Sequence, residues 1–217
     1  MPYDAFSHVD YWVFDLDNTL YPPHARLFDQ IERHMANYVM RELNVNEETA
    51  QQLRRKYWRE HGTTLAGLMR VHNIDPDPYL HEVHQLDLSH IEVDTALREA
   101  ISDLPGRKII YTNGSREHGE RVSTARGLGG IFDAIYGVED AGYAPKPDLA
   151  AFQKVFTIDG VKTEHAAMFE DDIRNLAIPH ALGMKTVLVG PLETAQHVEH
   201  QTEDLAAFLA QLVRKAT

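Results

Sequence analysis

The sequence contains no cysteine, few basic residues and no long apolar run. Without cysteine there is no disulfide framework and no thiolate that could act as a nucleophile or metal ligand. Lys and Arg number 21 against 33 Asp and Glu, a formal net charge of −12, which argues against a nucleic-acid polymer or an anionic membrane as partner. No run approaches the roughly 18 apolar residues of a membrane span, and the first ten residues lack a signal-peptide core. We therefore expect a cytoplasmic protein.

Five short apolar runs alternate with stretches that have helical spacing. The chain has 217 residues, of which 43% are hydrophobic, enough for one compact domain or a core with a modest insertion. A helix is indicated from Ser115 to Arg126, since Ser115 suits an N-cap and Gly127 a C-cap. The alternation predicts an α/β fold with a doubly wound, Rossmann-like parallel sheet. The predicted strands are Tyr11 to Phe14, Lys108 to Tyr111, Ala134 to Tyr136, Ala166 to Phe169 and Thr186 to Val189.

Residues 22–90 interrupt this alternation. Apolar residues such as Leu27, Ile31 and Met35 recur here at helical spacing, and no convincing strand accompanies them. We predict that residues 1–21 and 91–217 form the α/β core and that residues 22–90 form an inserted, all-helical cap. Near the end of the chain, a further apolar stripe predicts a terminal helix that docks on the core. That stripe consists of Leu205, Phe208, Leu209 and Leu212.

Polar groups follow three of the predicted strands, and a lysine between two prolines follows another. Because the carboxyl ends of parallel strands meet at one edge of the sheet, these groups should converge there. Clustered carboxylates repel each other by about 4 kcal/mol per close pair at an effective dielectric near 20, so they protonate or bind a cation. Hard oxygen ligands favour Mg²⁺, which couples to substrate phosphate. The groups are Asp15, Asp17, Thr112, Asn113, Lys146, Glu170, Asp171 and Asp172.

Such a set has the parts of a phosphoryl-transfer site. One free carboxylate oxygen can attack phosphorus while Lys146, Thr112 and backbone N–H groups hold the phosphoryl oxygens. The turn after the first strand can aim Asp17 at the leaving group as a separate acid/base. Each motif alone is also compatible with a turn, a helix cap or a solvated loop. Their occurrence together, in order and at strand ends, favours the site.

The motifs resemble those of the haloacid dehalogenase superfamily in sequence order along essentially the whole chain. The first is the most specific of the four. They are Phe14-Asp15-Leu16-Asp17-Asn18-Thr19-Leu20-Tyr21, then Tyr111-Thr112-Asn113-Gly114, then Lys146, and finally Glu170-Asp171 with Asn175 four residues after Asp171.

The resemblance implies roles for the residues that would contact substrate. Asp15 would form an aspartyl-phosphate, and Asp17 would act as the acid/base. Thr112 and Lys146 would bind the phosphate, with Lys146 also counted among the catalytic residues. Asn113, beside Thr112 in the second motif, is assigned to substrate binding with it.

The resemblance also implies a magnesium site. Asp15, the backbone carbonyl of Asp17 and Asp171 would hold the ion. Glu170 and Asn175 would lie in the shell around these ligands. Glu170 is longer than the aspartate found in some relatives, so direct contact and contact through water both remain open for it.

More narrowly, the chain resembles the pyrimidine 5′-nucleotidase branch. That branch has the Asp-x-Asp-Asn-Thr-Leu-Tyr start and a cap stretch like residues 56–62, followed by Gly67-Leu68. The implied activity is Mg²⁺-dependent hydrolysis of a phosphomonoester through an aspartyl-phosphate, with a pyrimidine nucleoside 5′-monophosphate as substrate. We expect Tyr57, from the basic and aromatic stretch of the cap, to contact the base.

Four alternatives remain at this stage. A sugar-phosphate phosphatase or a phosphomutase of the same fold would use the same core motifs. A dehalogenase needs neither metal nor an acid at the second position, so Asp17 and the Glu170-Asp171 pair count against it. A non-enzymatic phospho-accepting or binding domain is disfavoured by the helical insertion and the paired aspartates. For the phosphomonoester hydrolase, the expected partner is a small phosphomonoester substrate, with the chain as a monomer or homodimer.

Overall fold

A six-stranded, fully parallel sheet forms the centre of the protein. The structure is a computed structural model that describes residues 2–213. The strands lie in the order β3-β2-β1-β4-β5-β6, which confirms the α/β class and all five predicted strands. The sixth is a short edge strand whose polar sequence gave no signal. The strands are β1 Tyr11–Phe14, β2 Arg107–Tyr111, β3 Ala134–Tyr136, β4 Ala166–Glu170, β5 Lys185–Val189 and β6 His200–Thr202.

Ten α-helices accompany the sheet within residues 2–213, and none of them is long and apolar enough to cross a bilayer. The predicted helix after β2 begins as expected, because the Ser115 side chain accepts a hydrogen bond from the His118 N–H. The helices are α1 Pro2–Phe6, α2 Leu27–Leu43, α3 Glu47–His61, α4 Thr64–His72, α5 Pro76–Val83, α6 Thr95–Ser102, α7 Arg116–Ala125, α8 Leu149–Asp159, α9 Ala177–Ala181 and α10 Leu205–Leu209.

Alternate residues of β1 point to opposite faces of the sheet, and both faces are covered. Trp12 and Phe14 belong to an apolar cluster that also contains residues of α6 and α10. Val13 belongs to a second cluster with Phe152 of α8. Burial on both faces explains why the strands read as continuous apolar runs. The C-terminal stripe that begins at Leu205 is buried in the first cluster, so the predicted docking helix is confirmed.

Helices α2 to α5, called the helical cap below, lie between β1 and β2 and have their own apolar core. Tyr38, Tyr57 and Tyr79 are buried in this core with aliphatic residues. Side-chain caps fix where three of the helices begin, at Asn46 for α3, Thr63 for α4 and Asp75 for α5.

The strand order brings the carboxyl ends of β1, β2 and β4 together. β1 pairs with β2 on one side and with β4 on the other. The chain therefore reverses its direction of winding at β1, where open α/β sheets form their ligand crevices. Asp15, Thr112 and Asp171 each follow directly after one of these three strands.

Candidate active site

Lys146 is the centre of a buried ion-pair network at this edge of the sheet. Its Nζ donates hydrogen bonds to Asp15 Oδ1 at 2.7 Å, to Glu170 Oε2 at 2.7 Å and to the Tyr111 carbonyl oxygen at 3.0 Å. Burial acts to lower the pKa of Lys146, but the charges of Asp15 and Glu170 outweigh it and raise that pKa above its usual value. The ammonium is therefore charged although Lys146 is only 1% exposed.

The Asn113 side chain fixes the loop that carries Lys146. Asn113 Oδ1 accepts the Lys146 backbone N–H at 2.7 Å, and Asn113 Nδ2 donates to the Lys146 carbonyl oxygen at 3.2 Å. These bonds use the side-chain oxygen and one amide hydrogen of Asn113 to position Lys146. Asn113 also lines the cavity described below, so its predicted contact with substrate stays a prediction beside this positioning role.

Three carboxylates around Lys146 are close enough to share one cation. Asp15, Glu170 and Asp171 each offer an oxygen within 4.8 Å of the others. Burial, followed by the charge of Glu170, raises the pKa of Asp15 to about 8 against the lowering effect of Lys146. Burial likewise raises the pKa of Glu170 and of Asp171, each to about 7. One ammonium thus does not neutralise the cluster.

The donor set fits a divalent cation such as Mg²⁺, which prefers carboxylate and carbonyl oxygens. Asn175 Oδ1 is buried at this edge without a hydrogen-bond partner among residues 2–213, so an acceptor is left over for a water or ligand. Both oxygens of Glu170 already accept hydrogen bonds, from Lys146 and from the Asp172 N–H. This arrangement favours Asp15 and Asp171 over Glu170 as direct ligands.

Asp17 stands apart from the carboxylate cluster and has its own donors. Its Oδ1 accepts hydrogen bonds from the Tyr21 hydroxyl at 2.6 Å and from His118 Nε2 at 2.9 Å. Burial acts to raise the pKa of Asp17, but the charge and hydrogen bond of His118 and the hydrogen bond of Tyr21 outweigh it and lower that pKa to about 2. Two aspartates separated by one residue thus have opposite electrostatic environments.

Thr112 lies at the end of β2 with its side chain buried. Thr112 Oγ1 accepts the Gly114 N–H at 2.9 Å, which leaves its hydroxyl hydrogen for another acceptor. Thr112 and Gly114 both line the cavity described next. This placement is compatible with the predicted contact between Thr112 and phosphate.

A cavity of about 910 Å³ lies between the strand ends and the helical cap. Asp15, Asp17 and Asp171 line it from the core, and Arg54 and Trp58 line it from α3. Trp58 is 47% exposed. The cavity is of the size that holds small-molecule ligands.

The structure places Tyr57 away from this cavity. Tyr57 is 2% exposed, and its hydroxyl is hydrogen-bonded to His72 Nε2 at 2.6 Å inside the cap. Its ring also packs against Gly67, where a Cβ would lie 2.3 Å from Tyr57 atoms. We therefore withdraw the predicted contact between Tyr57 and the substrate base, because the neighbouring Trp58 has the accessible ring.

Two residues that contact Asp17, Tyr21 and His118, have no role among the predictions from the sequence. Tyr21 lies four positions after Asp17, in the same motif, and that spacing was a usable signal. His118 lies 101 positions away, and only the parallel pairing of β1 with β2 brings the two together. Its position three residues after the N-cap Ser115 was the only local hint.

Comparisons with known proteins found matches to a protein family, to a curated relative and to solved structures. A family profile described as haloacid dehalogenase-like hydrolase matches residues 9–183. The Saccharomyces cerevisiae protein called phosphate metabolism protein 8 is 25% identical over 193 residues, which cover 81% of this chain and 60% of the relative. The chain thus spans about three fifths of the length of that relative.

Two solved structures show the same fold. A 2-haloacid dehalogenase from Pseudomonas syringae pv. Tomato DC3000 has a TM-score of 0.61 at 20% identity, covering 94% of this chain and 99% of that one. A HAD phosphatase from Thermococcus onnurineus has a TM-score of 0.61 at 15% identity, covering 91% of this chain and 94% of that one. The fold is therefore shared by enzymes of both activities.

Proposed function

The chain belongs to the haloacid dehalogenase-like hydrolases, and within that family we propose that it is a Mg²⁺-dependent phosphomonoester hydrolase. The proposal rests on the different hydrogen-bonding environments of two aspartates, Asp15 and Asp17. Asp15 lies in the carboxylate cluster and accepts a hydrogen bond from Lys146. Asp17 lines the same cavity as Asp15, but it accepts its hydrogen bonds from other side chains, including His118. A nucleophile and an independent acid/base are what hydrolysis through a covalent phospho-enzyme requires.

In the first step, an oxygen of Asp15 attacks the phosphorus atom of the substrate. A bond forms between Asp15 and phosphorus while the bond from phosphorus to the leaving oxygen breaks. Asp17 donates a proton to that oxygen, so that the product leaves as an alcohol. Asp17 acquires this proton from solvent when the phosphate binds, because the added negative charge raises its pKa. Lys146 stabilises the charge that develops around phosphorus.

In the second step, water hydrolyses the aspartyl-phosphate. Asp17, now ionised, accepts a proton from the attacking water. The oxygen of that water bonds to phosphorus while the bond to Asp15 breaks. Inorganic phosphate is released, and Asp15 returns as a carboxylate.

The magnesium ion would be held by Asp15, Asp171 and the Asp17 carbonyl, with Glu170 and Asn175 around them. Bound there, it supplies positive charge that lets carboxylates and phosphate occupy one site. Asp15 and Glu170 are buried, Asp171 is partly buried, and the pKa values of all three are raised. A dication relieves this electrostatic condition.

The acid at position 17 favours phosphatase over dehalogenase activity, although both occur on this fold. A halide leaves as a stable anion and needs no proton, whereas an alkoxide does. The Asp17 side chain, which is hydrogen-bonded to Tyr21 and His118 and lines the cavity, would have no catalytic role in dehalogenation.

For the substrate we propose a nucleoside 5′-monophosphate, with a pyrimidine base as the resemblance implies. Trp58 offers a partly exposed aromatic ring, and the Arg174 guanidinium lies 3.9 Å from the centre of that ring. The buried Arg54 donates to Gln51 at 2.7 Å and to Glu32 at 3.1 Å in the same cavity. Together these groups provide stacking and hydrogen bonding for a base and ribose.

A panel of phosphomonoesters ranked by kcat/KM tests the proposal. It would contain 4-nitrophenyl phosphate, pyrimidine and purine nucleoside monophosphates, sugar phosphates and a 2-haloacid. We expect phosphate release from the esters, with pyrimidine nucleotides first and no halide from the haloacid. Halide release without phosphatase activity would contradict the proposal, and a preference for sugar phosphates would correct the substrate.

Replacing Trp58 with alanine tests which side chain contacts the base. We expect kcat/KM for the preferred nucleotide to fall about tenfold, the effect of losing one stacked base. The value for 4-nitrophenyl phosphate should change little. The control is Tyr57→Phe, which removes only a hydroxyl bonded inside the cap and should leave both values unchanged. Equal losses on both substrates in Trp58→Ala would remove Trp58 from the base site.

A further inference from the structure

Asp17 accepts hydrogen bonds from two side chains, which a simple turn after a strand does not require. Both of its donors, Tyr21 and His118, meet Oδ1. Because an ionised carboxylate only accepts hydrogen bonds, His118 Nε2 must be the donor in its contact. Within residues 2–213, the other oxygen, Oδ2, has no protein donor, and Asp17 lines the cavity. The two donors therefore determine which carboxylate oxygen remains available.

We propose that His118 and Tyr21 are positioning residues that hold the Asp17 carboxyl by Oδ1 and so present Oδ2 to the leaving-group oxygen. This inference rests on the proposed phosphatase function and adds two residues that touch neither phosphate nor metal. Their effect reaches the reaction only through Asp17.

His118 itself is fixed on several sides. It is 1% exposed and lies in the first turn of α7, where its backbone N–H donates to Ser115 Oγ at 3.2 Å. Its ring is stacked on that of His84, with ring centres 4.2 Å apart and planes inclined by 15°. Ser115 Oγ also lies 3.2 Å from His84 Nδ1. The stacking and the helix position together fix the His118 ring with its Nε2 directed at Asp17.

Gly114 provides the space that this arrangement needs. A Cβ at position 114 would lie 2.9 Å from His118 Cδ2 and 3.3 Å from both His84 Nε2 and Thr112 Oγ1. Any larger residue would therefore push the ring away from Asp17 or disturb Thr112. Gly114 thus leaves the space that allows His118 to approach the end of β1.

Leaving-group dependence separates this positioning role from a merely structural one. A 4-nitrophenolate departs without a proton, whereas an alkoxide requires one. Since kcat/KM reports only the steps up to the first irreversible one, it isolates attack by Asp15 from the later hydrolysis step. A defect in proton donation therefore lowers kcat/KM for alkyl phosphates and spares the aryl phosphate.

For His118→Leu we expect kcat/KM to fall about 10²-fold on the best alkyl phosphate of the panel, the usual contribution of an acid catalyst. On 4-nitrophenyl phosphate the loss should stay within about threefold, and KM for the alkyl ester should be nearly unchanged. His118→Gln places an amide donor near the position of Nε2 and should recover about tenfold of the loss. Tyr21→Phe should show the same pattern, with a smaller loss.

The matched control is His165→Gln. His165 Nδ1 lies 2.9 Å from the His8 carbonyl oxygen, away from the cavity, and this change should leave both substrates unaffected. The melting temperature of every variant shows whether a kinetic loss comes from misfolding. Tyr21→Phe removes only one oxygen atom and is therefore expected to keep the fold.

Equal losses on aryl and alkyl phosphates, or a glutamine variant no better than leucine, would overturn the inference and leave the phosphatase function intact. A wild-type chain that hydrolyses no phosphomonoester would overturn both. A selective loss on alkyl phosphates with rescue by glutamine would support the inference.

Discussion

Replacing Asp15 with asparagine should lower kcat/KM for 4-nitrophenyl phosphate by about 10⁴-fold or more, the scale on which loss of a catalytic nucleophile is felt. The amide is nearly the same size as the carboxyl, so the cavity should persist. Its neutral nitrogen and oxygen do not attack phosphorus at a useful rate. The measurement is phosphate release under single-turnover conditions with saturating Mg²⁺.

Asp10→Asn is the matched control for this variant. Asp10 precedes β1 at the opposite end of the strand and is exposed, so its side chain should not influence turnover. Above pH 8 and without metal, where Asp15 of the wild type is ionised, Asp15→Asn should be at least as stable as the wild type, because one member of a repelling cluster has become neutral. If Asp15→Asn retained substantial turnover while Asp10→Asn behaved as wild type, Asp15 could not be the nucleophile.

Removing divalent cations with EDTA should lower phosphatase activity by about 10³-fold or more. The reason is that the carboxylate cluster and a phosphate dianion cannot share a site without added positive charge. Adding Mg²⁺ back should restore activity, and adding Ca²⁺ should restore less, since Ca²⁺ takes more ligands at longer distances. The assay is phosphate release before and after dialysis.

The same cluster predicts how pH affects the stability of the metal-free protein. The pKa values of Asp15, Glu170 and Asp171 are raised to about 8, about 7 and about 7. Between roughly pH 4 and these values the folded chain binds more protons than the unfolded chain, so the free energy of unfolding decreases as pH rises. Asp17, with its pKa lowered to about 2, contributes stability throughout this interval.

Mg²⁺ should reverse this loss, because it binds the deprotonated cluster of the folded state. A hundredfold excess over Kd corresponds to about 3 kcal/mol of added stability. We expect the increase in melting temperature on adding Mg²⁺ to be larger at pH 8 than at pH 5.5, as measured by differential scanning calorimetry. An equal increase at both values, or none, would place the metal elsewhere or exclude it.

The strands could be predicted from sequence because burial on both faces makes each of them a short continuous apolar run. β6, His200–Thr202, could not, since it is a three-residue edge strand without that pattern. The convergence of Asp15, Thr112 and Asp171 was predictable too, because it follows from parallel topology alone.

The sequence does not determine which aromatic side chain of the helical cap faces the cavity. Tyr57 and Trp58 are neighbours on one helix, about 100° apart around its axis, and both are aromatic. Only the packing of α3 against α4, with Gly67 leaving room for the Tyr57 ring, determines which of them faces the cavity. No local pattern contains that information.

The contact between His118 and Asp17 is not predictable from the sequence for a related reason. A histidine in the first turn of a helix is common, and its meaning depends on what the adjacent strand places opposite it. The same holds for the Asn113 side chain, whose bonds to the Lys146 backbone join segments 33 residues apart. Sequence motifs identified the groups at strand ends, whereas the residues that orient them required the fold.

The most direct test of the account is the mass of the enzyme quenched in acid during turnover of 4-nitrophenyl phosphate with Mg²⁺. We predict a species heavier by one phosphoryl group, located by peptic digestion and fragmentation at Asp15 and absent in Asp15→Asn. A phosphoryl group on another residue, or turnover with no phosphorylated enzyme when hydrolysis of the intermediate is slowed by Asp17→Asn, would contradict it.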